Sequence, residues 1–374
     1  MHYFIKANQD SYISSGSDFI TGESFTKQNF GQDQILELKR VYFNEQFLYP
    51  TRVLVQFDIT ELSSSLVKNE ITNPQYFLRL YEAEGNRNLS STYDLLAHPI
   101  SQSWDEGIGK FGDTPRTTDG CSWKYRFNRR GDTFISWSNN DGTEALGASV
   151  VSEYYATQSF SYRTPDVEMN ISPIVNFWLG QPAIGNNGLL LRFSGSQETE
   201  TTGSDRKYGE LKFFSSQTNT IFSPKLEVRW DDHKPCTGSN TGSLQALDMS
   251  GEADNFVYMK GLKQSYKPTE TVKFRIGSRK RYIQKTFSTS YQTASGSYIA
   301  EGSGSYSIID IASGETIVPF SPFTSMSCDS VSNYFIQRFD EFEPNRVFKI
   351  IYKLKYNDGQ EQIFDDDFEF IVKD

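Results

Sequence analysis

The sequence predicts an all-β protein made of two β-sandwich domains, jelly-roll-like in the N-terminal part and immunoglobulin-like in the C-terminal part. Three observations predict it. Short alternating apolar and polar runs, bounded by Gly, Asn, Asp, Ser or Pro, recur along the whole chain. Helical periodicity is confined to two brief stretches. The 374 residues, 15% of them aromatic, carry enough apolar area for a core in each of two or three domains, at about 150 residues per domain.

The strands follow in order. In the first part they are Ile35-Leu36-Glu37-Leu38-Lys39, Arg52-Val53-Leu54-Val55-Gln56-Phe57, Tyr76-Phe77-Leu78-Arg79-Leu80, Gly188-Leu189-Leu190-Leu191-Arg192-Phe193 and Lys225-Leu226-Glu227-Val228-Arg229-Trp230. A helical turn is expected at Asp58-Ile59-Thr60-Glu61-Leu62. A short helix is expected from Ser172, with Ser172 as N-cap, Pro173 in the first helical position and Gly180 as the stop. The stretch 107–157 has few strong strand runs and reads as a long insertion, the kind of segment where function often sits. The polar run DDHKPCTGSNTGS at 231–243 follows a convincing strand and marks a junction. Domain boundaries are therefore expected at 1–233 and 247–374, with 234–246 as a linker. Beyond it, strands are expected at Phe256-Val257-Tyr258-Met259, Val272-Lys273-Phe274-Arg275-Ile276, Tyr306-Ser307-Ile308-Ile309-Asp310, across 347–354 and at Phe368-Glu369-Phe370-Ile371-Val372. Asp358-Gly359 signals a hairpin between the last two. No fixed-period repeat is visible, which argues against solenoids and propellers.

Charge and rare residues narrow the function. There are 37 basic and 47 acidic residues, a net charge of −10. Duplex binding needs a basic face to displace phosphate counterions, so nucleic acid is not an expected partner. Three His and three Cys are too few for most zinc, haem or iron–sulfur chemistry. Cys121, Cys236 and Cys328 are odd in number and far apart, so no disulfide framework is expected, and Cys328 is read as a small buried hydrophobe. The opening MHYFIKANQD has no signal-peptide pattern, and no run approaches the roughly 20 apolar residues of a membrane span. Synthesis in a cytoplasm is expected, with no membrane partner. A composition rich in Ser, Thr, Tyr, Phe and Gly suits work outside cells, and a virion protein reconciles the two.

An ordered set of motifs resembles the DNRLRE-type β-sandwich family. These are Gln9-Asp10-Ser11-Tyr12-Ile13, Asn29-Phe30-Gly31, the strand from Ile35, Arg52 to Ile59 with its Phe57-Asp58, Phe77-Leu78-Arg79-Leu80 and Ser103-Trp104-Asp105-Glu106-Gly107. Asn170-Ile171-Ser172-Pro173, Gly188-Leu189-Leu190-Leu191, Phe214-Ser215-Ser216 and Pro224-Lys225-Leu226-Glu227-Val228 complete it. Family members occur beside carbohydrate-active modules and in surface or virion proteins. The stretch 107–157 is longer and more aromatic than the family pattern. The second part more loosely resembles a module of tailed-phage structural proteins, through Lys273-Phe274-Arg275-Ile276, Tyr306 to Asp310, Ile317-Val318-Pro319-Phe320, Ser327-Cys328-Asp329, Asn333-Tyr334-Phe335 and Asp365-Asp366-Asp367-Phe368. That resemblance implies a virion component without catalysis.

Candidate site residues each carry two readings. Trp104, Asp105 and Glu106, with Trp123 and Trp137 in the insertion, suit a sugar-stacking or calcium-binding loop. The alternative is a tryptophan that packs a strand end beside solvated acids. Asp231 and Asp232 read as solvated. Asp365, Asp366 and Asp367 suit Ca²⁺ or a basic partner, or else form a charged turn that guards an edge strand. The basic run RIGSRKRYIQK at 275–285, with Arg279, Lys280 and Arg281 at its centre and Tyr282 interleaved, suits an acidic subunit or, after it, phosphate of a nucleic acid, or else forms a polar hairpin turn centred on Gly277-Ser278. His2, His98 and His233 have no nucleophile or second ligand close in sequence, and Gly302-Ser303-Gly304-Ser305 does not match a nucleophile elbow.

The sequence therefore predicts a non-enzymatic structural protein of a tailed-phage virion, in the baseplate, neck or tail-fibre attachment. Its expected partners are other virion proteins in a homo- or hetero-oligomeric assembly. No cofactor is expected beyond a structural calcium ion left open at the acidic sites. The competing expectation is an adhesin that recognises host-surface glycans through the N-terminal domain. A capsule depolymerase ranks last, because the long repeating β-helix typical of such enzymes is not seen.

Overall fold

In the computed structural model, the described residues are all except 19–21, 44–45, 85–90, 130–132, 140, 162–165, 181–184, 200–208, 251–253, 283–286, 288, 291–295, 341 and 374; at 41–48 and 196–197 the description covers backbone only. Strands account for 46% of the chain and helices for 8%, which makes it an all-β protein. The chain forms two compact bodies. The first holds Phe4–Glu70 and Gln75–Val228; the second holds Met1–Tyr3, Ile71–Pro74 and Arg229–Asp374.

The first body is built on an eight-stranded sheet. Its order is Ala156–Ser161, Thr92–Pro99, Leu189–Phe193, Thr51–Phe57, His2–Ser14, Lys225–Arg229, Gln75–Leu80, Val167–Asn170. Central strands read as continuous apolar runs because they are covered on both faces: Val53, Leu54, Val55, Leu189 and Leu191 are all fully buried. A three-stranded sheet of Ile35–Lys39, Glu210–Phe214 and Glu82–Glu84 supplies Leu36, Leu38, Leu211 and Phe213 to the interior. The helix Ser172–Gly180 forms as expected and buries Ile174, Val175, Phe177 and Trp178. Its first backbone N–H groups are served differently, however. Asn170 Oδ1 accepts from Ser172 N at 3.0 Å, while Ser172 Oγ accepts from Tyr76 N at 3.0 Å. The expected turn after Phe57 extends to a helix, Thr60–Val67, whose start is held by Asp58 Oδ1 accepting from Thr60 N at 2.9 Å.

The stretch 107–157 is more regular than its sequence suggests. It carries a three-stranded sheet of Glu144–Ala145, Thr133–Ser138 and Tyr125–Arg129.

The second body has a sheet ordered Gln245–Ala246, Ser297–Tyr298, Thr271–Lys280, Asn333–Arg338, Ser327–Cys328, with Asn255–Lys260 also on Thr271–Lys280. A five-stranded sheet runs Ser265–Tyr266, Glu361–Val372, Arg346–Lys355, Gly304–Asp310, Thr316–Val318. Aromatic rings from both sheets form the core: Tyr306 stacks on Phe335 at 3.8 Å, and Phe274 lies 5.6 Å from Phe370. The Asp358-Gly359 hairpin is present. Gly359 sits at φ 86°, a left-handed conformation that a side chain would strain, and Tyr356 N donates to Gln360 O at 2.8 Å.

Two expectations are corrected here. Cys328 is not a free buried thiol: it is disulfide-bonded to Cys236, 92 residues away, with the Cα atoms 5.0 Å apart. In the chain-entropy picture a bridge of that span removes about 4–5 kcal/mol of freedom from the unfolded state. The polar run 234–246 is not a free linker either. Cys236 anchors it, Lys234 N donates to Ser327 Oγ at 3.0 Å, and Gln245–Ala246 pairs in parallel with Ser297–Tyr298. Its polar groups are taken up by these bonds, which composition alone does not reveal.

Candidate functional site

The structure brings Trp104, Trp123 and Trp137 together, but inside the protein. They share one cluster with Ile13, Leu54, Ile100, Cys121 and Leu190. Trp137 has no exposed surface, Trp104 has 4% and Trp123 has 8%. Two of the three indole N–H groups end on carbonyls: Trp104 Nε1 donates to Asn187 O at 2.8 Å, and Trp137 Nε1 donates to Ser122 O at 2.9 Å. The Arg52 guanidinium lies 4.8 Å from the centre of the Trp123 ring and donates to Glu198 Oε1 at 2.9 Å. The packing reading of these tryptophans therefore describes the structure, and the sugar-stacking expectation is corrected: rings so enclosed offer no face to a pyranose. Cys121 is the free thiol in this cluster, and burial pushes its pKa up to about 12, so it is no nucleophile.

Asp105 and Glu106 belong to a backbone knot centred on Asn29. The Asn29 amide donates to Glu106 O at 2.7 Å and to Cys121 O at 2.8 Å, and Asn29 Oδ1 accepts from Gly31 N at 3.1 Å and Gly109 N at 2.8 Å. Gly107 sits at φ 80°, and a Cβ there would lie 2.2 Å from Asp119 O, so only glycine fits. Asp105 lies 3.8 Å from Arg129, and Glu106 Oε1 accepts from Asp10 N at 3.1 Å. Asp10 is fully buried; burial, aided by the neighbouring Glu106, raises its carboxyl to about 7 even though Ser216 N donates to it at 2.6 Å. Among the described residues, no group of three or more His, Cys, Asp or Glu is placed to hold a metal ion.

The basic run is not a hairpin turn about Gly277-Ser278, because both residues lie inside the strand Thr271–Lys280, paired with Tyr258 and Val257, and its charges are largely neutralised within its own body. Arg275 is 2.9 Å from Asp329, Lys280 is 3.1 Å from Asp248 and Arg281 is 3.0 Å from Asp254, while Arg279 lies 4.8 Å from the Phe256 ring centre. Burial opposes ionisation of Asp329, but hydrogen bonds from Arg275 and Lys273 outweigh it and hold the carboxyl far below its usual range. Tyr282 is exposed; 283–285 of the run lie outside the described residues.

Asp365, Asp366 and Asp367 form a bulge: Phe364 faces Tyr352 and Phe368 faces Ile350, so three acids stand opposite one residue. All three are exposed, and Lys349 lies 2.8 Å from Asp365. Asp232 is 3.0 Å from the Met1 ammonium and Asp231 Oδ1 accepts from His233 N at 2.9 Å. The three histidines have structural partners: His2 with Ser321 Oγ at 3.0 Å, His98 with Tyr154 O at 3.1 Å and His233 with Glu301 at 2.6 Å.

A site that the sequence did not flag is a cavity of about 270 Å³ in the first body. Its floor is Tyr12 stacked on Phe30 at 4.3 Å. Phe25, Tyr49 and Phe111 wall it, Phe111 being 55% exposed. Glu37, Lys39, Ser14 and Asp18 supply the polar lining. Burial first, then the nearby acids Glu37 and Asp33, keep the Tyr12 hydroxyl protonated far above its ordinary range. These residues come from five separated chain segments, so no local pattern announces the cavity. Tyr12, Phe30 and Glu37 do lie in motifs singled out above, but as parts of the family resemblance, not as a site. No protein-family model and no curated protein matches the chain.

Proposed function

We propose that this chain is a non-enzymatic structural protein of a tailed-phage virion, working through interfaces with other virion proteins in the baseplate, neck or tail-fibre attachment. The observation that carries the reading is the face of the insertion sheet. Trp137 and Ala145 anchor that sheet in the closed tryptophan cluster, while Phe134, Ile135 and Leu146 on the same strands and the next turn are 60%, 36% and 58% exposed. Phe134 is in contact with Tyr125 at 5.4 Å, which extends the apolar surface. A well-anchored platform with exposed large side chains suits a subunit contact, because apolar burial against a partner is favourable and side chains already ordered on folding lose little further freedom when they bind. The looser resemblance of the second part to a tailed-phage structural module points to the same assignment.

Mass spectrometry of purified particles tests it. The chain is expected as a reproducible component, and particles that lack it sink the proposal. A Phe134→Ser, Ile135→Ser double variant is expected to fold with a stability change of at most about 1 kcal/mol, since both positions are exposed. Its incorporation into particles is expected to fall by about tenfold.

A further inference from the structure

We propose that the aromatic cavity of the first body is a binding site for a single neutral sugar ring. At about 270 Å³ it lies just below the usual range for small-molecule pockets, which suits one ring and not an extended ligand. Its surfaces match the two characters of a pyranose. Phe25, Tyr49 and Phe111 present ring surface to the C–H faces, above a floor that Tyr12 and Phe30 close. Phe25 meets Phe30 edge-on at 6.2 Å and Phe111 at 5.8 Å, so two walls and the floor meet at one corner.

The charges select against ionic ligands. Glu37 is paired with Lys39, and Lys39 is also 3.8 Å from Glu210. Asp18 is paired with Arg116 at 3.3 Å. A phosphate or uronate would find no uncommitted cation, and an ammonium group would find each acid already engaged. Hydroxyl groups fare better. Ser14 Oγ accepts from Gly16 N at 3.1 Å and keeps its own proton to donate, and Glu37 Oε1 keeps its lone pairs beside the Lys39 contact on Oε2. An aliphatic or aromatic side chain from a protein partner would strip water from both groups and return no hydrogen bond, whereas a sugar replaces what it displaces.

The site is also preset. The Arg116 guanidinium lies 4.5 Å from the Phe25 ring centre and 3.1 Å from Glu23. Phe25 N donates to Gly16 O at 2.8 Å and Asp18 N donates to Glu23 O at 2.8 Å, closing the loop that carries the wall. Little ordering remains to be done on binding.

The test is a glycan array of neutral and anionic saccharides probed with the full chain, followed by NMR titration with the methyl glycoside of the best neutral hit. Neutral glycans are expected to bind and uronates, sialic acids and sugar phosphates are not. Phe111→Ala removes an exposed wall without opening the core, and affinity is expected to fall by about tenfold. Phe111→Trp is expected to keep binding and to shift its indole emission when sugar is added. An array without neutral hits, binding of anionic glycans alone, unchanged affinity in Phe111→Ala, or capture only of apolar peptides would each overturn the assignment. Particle composition reads the structural role separately, so either proposal can fail alone.

Discussion

The first body contains two aromatic clusters that use the same residue types to opposite ends. Around Trp137 the rings are enclosed, and the indole N–H groups of Trp104 and Trp137 end on backbone carbonyls. Around Tyr12 and Phe30 the floor is equally tight, but Phe25, Tyr49 and Phe111 stand back and leave about 270 Å³ between them. The difference lies in the partners. The closed cluster sits under glycine-tight backbone, whereas the open one is propped by Arg116, whose ion pairs with Asp18 and Glu23 hold Phe25 in place from behind. Aromatic content by itself therefore predicts neither a core nor a site; the supporting polar groups decide.

That contrast can be broken most directly by truncation. Trp137→Ala is expected to cost about 3–5 kcal/mol in urea unfolding, and Phe111→Ala less than about 1 kcal/mol. Equal costs would erase the distinction between closed and open. The next largest effect is at the buried acid beside the closed region. Asp10 has its carboxyl raised to about 7, against about 3.9 in an unfolded chain. A raised folded-state value means that its stability contribution is complete below about pH 4 and is lost as pH rises towards 7. Asp10→Asn removes this charging cost, so the variant is expected to gain about 2–4 kcal/mol on wild type at pH 8 and nothing near pH 3.5. Glu106 faces the same site and is itself raised, chiefly by burial, so the titration is read as a shift of the pair. The smallest effect is Arg116→Ala. Its pairs are near the surface, so loss of stability is expected to stay under about 1 kcal/mol, while sugar affinity falls roughly threefold as the Phe25 wall loosens.

Much of the fold was legible because the signals are local. Alternation located Ile35–Lys39 and Arg346–Lys355, and Asp358-Gly359 located the hairpin that joins the latter to Glu361–Val372. Pro173 and Gly180 bracketed the apolar helix Ser172–Gly180. The rest depends on groups distant in sequence. Cys236 and Cys328 look unpaired until Ser327–Cys328 joins the sheet beside Asn333, whose amide donates to Cys328 Sγ at 3.0 Å. The tryptophans resemble a stacking platform until the carbonyls of Asn187 and Ser122 are seen under their N–H groups. Lys280 and Arg281 look like free charge until Asp248 and Asp254 arrive from an earlier loop.

The bulge at Asp365, Asp366 and Asp367 has a consequence for a protein held at high local concentration. The strand Glu361–Val372 is bonded to Arg346–Lys355 along one side, but on the other, among the described residues, only Ile371 and Val372 are paired, with Ser265 and Tyr266. The remaining open side is a template on which a second copy could add its own strand. Two copies meeting there head to tail would bring one triplet of carboxylates against the other and interrupt the ladder at its midpoint. Crowding, which multiplies every weak self-association, would thus meet a built-in veto at this edge and leave ordered contacts to form elsewhere.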